Sequence, residues 1–156
     1  MDASQVIATV AVIVHTLSAV VWVGGMFFAL VMLRPATGPL DAAVRLELWG
    51  RVLGRFFAWV IVAIALLLAS GYTMVFAVFG GFAGIGRNVQ IMQGLGILMV
   101  LLFLHLYFAP WRRFRAALER RDHPAAARQL AQIRVIVTIN LILGLITVAF
   151  GSSGRY

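Results

Sequence analysis

The chain has 156 residues, 63% of them hydrophobic, with a mean hydropathy of +1.01, no cysteine, and a formal net charge of +8 in which every basic residue is arginine. That composition lies far outside the soluble range and calls for a bilayer as solvent. The absence of cysteine excludes disulfides and thiolate metal sites, and arginines that flank apolar runs without a groove-reading motif argue against a nucleic-acid partner.

Four runs, near 6–33, 56–79, 89–111 and 131–151, are long enough to cross a hydrocarbon core of about 30 Å. Backbone groups in lipid are satisfied only within helices or closed barrels, and barrel-type alternation is missing, so the spacing predicts an all-α, single-domain, four-helix transmembrane bundle. The first run, with "VHTLSAVVWVGGMFF", lacks a basic leader and a cleavage site, so it reads as a retained helix. It contains His15, an ionisable group that is costly in hydrocarbon and needs a polar partner or a function. The connection after it carries Arg34, Arg45, Arg51 and Arg55. There, Leu40, Val44, Leu48 and Val52 recur every four residues, with Asp41–Arg45 and Glu47–Arg51 spaced as acid-before-base pairs, which predicts a short interfacial helix.

The second run ends in Gly71, Tyr72, Thr73 and Met74, and the glycine-rich "FGGFAGIG" after it reads as a flexible turn rather than a phosphate cradle. The third run holds Met92, Gln93, His105 and Trp111; Trp22 and Trp111 fit aromatic packing or an interfacial belt. Gly24, Gly25, Gly71, Gly94 and Gly96 are candidates for close helix approach, within one bundle or between copies. In the third connection Asp122 and Pro124 mark the start of the last helix, and His123 reads as a solvated turn residue. Eleven of the arginines fall in the first and third connections, so the positive-inside rule predicts both termini outside. In a bacterium that means an inner-membrane protein with periplasmic termini.

Each helical residue rises about 1.5 Å, so counting from the arginine at each helix end gives relative depth. His15, Gln93 and Met74 each lie nineteen residues from Arg34, Arg112 and Arg55 respectively, which predicts one outer layer holding His15, Tyr72, Met74, Met92 and Gln93. His105 is only seven residues from Arg112, at the level of Asn140, and a His105–Asn140 hydrogen bond across the bundle is expected there. Histidines at such different depths are poorly placed as two axial ligands of one haem.

The stretch "HTLSAVVWVGGMFFALVMLRPA" resembles the first helix of the CopD family of four-helix membrane proteins and of the related HemJ-type protoporphyrinogen oxidases. "IMQGLGILMVLLFLHLYFAPWRRF" and "QIRVIVTINLILGLITVAFG" are similar to CopD-like third and fourth helices. The HemJ resemblance implies haem b with His15 as one axial ligand; the second would be a lysine near Gln93, and this chain has no lysine. Met92 offers a thioether in its place, Trp22 would pack on the macrocycle, Tyr72 and either Arg87 or Arg155 would serve the propionates, and a quinol or porphyrinogen would supply electrons. The CopD resemblance implies copper instead, for which His15, Met74 and Met92 form a chemically suitable soft set for Cu(I). A third reading is a non-catalytic membrane subunit that assembles with copies of itself or with a membrane partner.

Overall fold

The computed structural model describes residues 3–153, all of the regular structure in them helical. Four helical rods, α1 (Ala3–Ala36), α2 (Ala42–Ala77), α3 (Arg87–Glu119) and α4 (His123–Ser153), are each long and apolar enough to cross a membrane. They form two antiparallel hairpins, α1 with α2 and α3 with α4. Side chains such as Trp59, 64% exposed, and Val20, 62% exposed, point outward, as expected where lipid is the solvent.

The rods are longer than the sequence predicted, because the amphipathic segments at the arginine end continue the same helices. The stretch expected as a separate interfacial helix is helical, but it forms the first turns of the 36-residue α2. Gly50 and Gly54 lie inside the stretch without ending the helix, no proline interrupts it, and its apolar residues Leu46, Trp49 and Leu53 are buried rather than laid on lipid. At about 1.5 Å per residue such a helix is about 54 Å long against a core of about 30 Å, so the bundle overhangs the membrane at that end.

The overhang carries much of the packing. The buried cluster includes Trp22, Met26, Phe57, Val60, Phe103, Trp111, Phe114, Leu130 and Ile133, and none of it lies beyond Trp22, Ala63, Met99 or Leu141 toward the opposite end. Phe57 is its hub, with edge-on contacts to Phe103 at 5.6 Å and Trp111 at 5.1 Å. Two π-helical segments lie in the same half: Phe28–Leu33 ahead of Pro35, and Tyr107–Trp111 around Pro110. Proline lacks an N–H and its ring crowds the carbonyl four residues back; a widened turn relieves both without breaking the rod.

The helix junctions follow the local chemistry. Asp122 Oδ1 accepts from the Ala125 amide at 3.0 Å and starts α4, as the sequence predicts, after Arg121 has reversed the chain at φ 55°. In the 79–86 turn Gly80 and Gly81 have φ of +67° and +111°, values that favour glycine. The predicted Asp41–Arg45 and Glu47–Arg51 pairs do not form; among the described residues the ion pair is Arg115–Glu119. The Arg45 guanidinium instead donates to the Gly38 and Leu40 carbonyls, both at 3.2 Å.

The glycines divide. A Cβ on Gly25 would collide with the Phe56 ring, and one on Gly144 would lie 2.8 Å from Val23, so these two admit a neighbouring helix. Gly24, Gly94 and Gly96 have nothing within 4 Å of such a Cβ, so their close approach within this bundle is not realised.

Candidate functional site

The outer layer predicted by helix depth resolves into separate contacts. His15 Nδ1 lies 3.1 Å from Ser70 Oγ, joining α1 to α2. The Ser70 hydroxyl donates its single proton to the Leu66 carbonyl at 2.6 Å, with Leu67 O further away at 3.3 Å. With that proton directed to Leu66, the Ser70 oxygen can accept from Nδ1, an arrangement that leaves Nε2 as the nitrogen able to take a metal. The ring lies against Gly71, where a Cβ would stand 3.4 Å from His15 Cε1, in ordinary van der Waals contact. Met74 follows Ser70 by one helical turn, on the same face of α2, and is half-buried.

The other predicted residues are held elsewhere in the layer. Tyr72, two residues from Ser70 and therefore around the helix, accepts from Gln93 Nε2 at 3.5 Å, bridging α2 to α3. Met92 packs on α4, its Sδ 3.5 Å from where a Gly151 Cβ would be. Trp22, expected against a macrocycle, is 4% exposed and sits edge-on to Phe103 at 6.3 Å inside the core. Arg87 begins α3 on the exposed surface, and Arg155 lies outside the described residues.

His105 and Asn140 are not brought together. His105 is exposed on the outside of α3, whereas Asn140 is 2% exposed and its Nδ2 donates to the Met99 carbonyl at 3.2 Å. Matching depth did not supply matching azimuth. Asn140 Oδ1 is buried without a hydrogen-bond partner. Replacing Asn140 by leucine is therefore expected to change stability by less than about 1.5 kcal/mol in detergent unfolding: it loses one interhelical bond worth about 0.6–2 kcal/mol but also removes the unpaired oxygen.

Sequence reasoning missed Ser70, the partner His15 required. The available signal was a lone hydroxyl before a glycine in the otherwise aliphatic "IALLLASGY". It also missed a polar chain at the arginine end, where the Trp49 indole donates to Thr37 Oγ1 at 3.3 Å and Thr37 donates to the Arg34 carbonyl at 3.0 Å.

The family described as copper resistance protein D, CopD, matches residues 50–153, two-thirds of the chain. The chain belongs to the CopD family. Among curated proteins and solved structures none matches. With its four apolar rods this CopD-family chain is an integral membrane protein, related to copper resistance. The match covers Ser70, Met74, Met92, Gln93 and Asn140; His15 lies outside it, on α1.

The donor chemistry restricts what ion such a site would suit. Among the described residues no three His, Asp or Glu side chains converge, so a closed nitrogen and oxygen cage for a divalent ion is not formed. An imidazole, with a thioether one helical turn beyond its serine partner, matches the preference of Cu(I) for few, soft ligands.

Proposed function

We propose that this CopD-family protein handles copper as cargo, taking Cu(I) at His15 Nε2 with the Met74 thioether beside it. The observation that carries this reading is the contact of His15 Nδ1 with Ser70 Oγ: a histidine held at Nδ1 by an outer partner is oriented as metal-ligating histidines are. By the positive-inside rule the site belongs on the outer side of the membrane, which in a bacterium is the periplasmic face of the inner membrane. The test is to load the detergent-purified protein with copper under ascorbate and measure bound metal. About one His15-dependent copper per chain supports the reading, and none rejects it. Ser70→Ala is expected to weaken copper binding by about 10–100-fold, the usual effect of removing an outer partner of a ligating histidine.

A second reading uses the same nitrogen as an axial ligand to haem b, with a membrane quinol or porphyrinogen as electron donor. The first-helix resemblance to HemJ-type oxidases favours it, and Gln93 with Tyr72 supplies polar groups in the same layer. Trp22 in the core and Met92 on Gly151 count against it, since both were wanted at the macrocycle. A visible spectrum of the same sample separates the two readings: a Soret band after haem supplementation selects haem.

A further inference from the structure

At the arginine end a cavity of about 310 Å3 opens between the first turns of α2 and α4, lined by Ala42, Arg45, His123, Pro124 and Arg134 among others. Two guanidinium groups, Arg45 and Arg134, line it, and Arg34 also lies within electrostatic reach of Arg134. Like charges crowded together normally have acids among them, yet among the described residues the ion pair lies elsewhere, at Arg115–Glu119. Asp41 and Asp122 stand at the starts of α2 and α4, yet among the described residues neither forms an ion pair with Arg45 or Arg134.

Arg134 is held ready rather than left loose. Its guanidinium carbon stands 5.4 Å over the ring of Trp49, a side chain only 2% exposed, which restrains the group's position. Its Nε is buried with no hydrogen-bond partner. Both α2 and α4 also begin at this cavity, so two helix dipoles add positive potential to it.

We propose that this cavity binds a phosphate group, with Arg134 as donor, Arg45 adding the N–H groups that its Nη1 bonds to the Gly38 and Leu40 carbonyls leave over, and His123 at its rim. A planar guanidinium presents paired N–H groups that match phosphate oxygens, and a restrained position reduces the entropy lost on binding. Two sources share this chemistry, an anionic phospholipid head group and soluble phosphate. The apolar side chains of Leu46 and Leu130 among its lining residues favour the head group, which brings acyl chains with it.

The experiment compares wild type, the double variant Arg45→Gln/Arg134→Gln and the control Arg112→Gln/Arg113→Gln, whose arginines are exposed elsewhere. Retention of phosphatidylglycerol is read by native mass spectrometry, and inorganic phosphate is titrated against melting temperature in phosphatidylcholine nanodiscs. The double variant is expected to bind about tenfold more weakly while the control binds like wild type, since a charge-assisted hydrogen bond is worth about that factor or more. Lipid retention without a phosphate effect identifies the head group as the source; a phosphate-dependent melting shift lost in the double variant identifies the soluble anion. If the double variant does not fold, Arg45→Gln and Arg134→Lys are read instead, the second keeping the charge but not the fork. Binding of both probes unchanged in these variants, or lost equally in the control, overturns the proposal.

Discussion

Replacing His15 by alanine is expected to reduce Cu(I) affinity by more than about a hundredfold while leaving the helical bundle assembled. The outer partner of a ligating histidine is commonly worth about 10–100-fold, and the ligand itself contributes more. The structural side of the change is smaller. His15 is half-buried and its side chain meets Ser70 across the helices, a hydrogen bond of a kind worth about 0.6–2 kcal/mol in membrane helices. Copper binding measured with a chromogenic competitor, alongside thermal unfolding of the same preparation, separates the two effects. A His15→Ala protein that still takes up copper with wild-type affinity removes His15 from the proposed site. Met74→Leu provides a graded comparison, because it keeps the volume and removes only the sulfur.

Truncating Phe57 to alanine is expected to cost about 3 kcal/mol or more in stability, the largest effect of any single core substitution proposed. Phe57 is 1% exposed, and three aromatic rings surround it: Phe103 and Trp111 edge-on, and Phe56 tilted at 6.1 Å. Phenylalanine-to-alanine changes in well-packed cores typically cost about 3–5 kcal/mol through lost contacts and the cavity left behind. Lipid weakens the solvent-exclusion part of that term, but the contacts between rings are lost in any solvent. Trp59→Ala is the internal control: at 64% exposure its ring faces the surroundings, and its loss is expected to change stability by less than about 0.5 kcal/mol. Denaturant or thermal unfolding in one detergent measures both. A Phe57→Ala change no larger than that of Trp59→Ala would show that the arginine end does not hold the bundle together.

The four rods were legible because hydropathy and arginine placement report length and spacing directly. Depth was legible in part: the polar groups of Tyr72 and Gln93, expected in one layer, do meet across two helices, whereas the serine that meets His15 was not foreseen. Azimuth was not. Each residue turns an α-helix by about 100°, so Met92 and Gln93 share a level yet face α4 and α2 respectively. The π-helical segments compound this, since a widened turn rotates all that follows it; His105 lies just before the one at Tyr107–Trp111 and faces outward, away from Asn140. The lost interfacial helix has another cause. Its acid–base spacing fitted a solitary surface helix, but burial of Leu46, Trp49 and Leu53 against the overhanging parts of α3 and α4 decided the outcome.

The concentration of the buried cluster at the arginine end makes the molecule a lever with a fixed foot. His15 stands nineteen residues from Arg34, an arm of about 28 Å. A slight tilt of α1 against α2 at the foot becomes a several-fold larger displacement where the imidazole faces Ser70. The rigid foot thereby sets the mechanical advantage, and the far end, with fewer buried contacts to break, is where the helices part most readily.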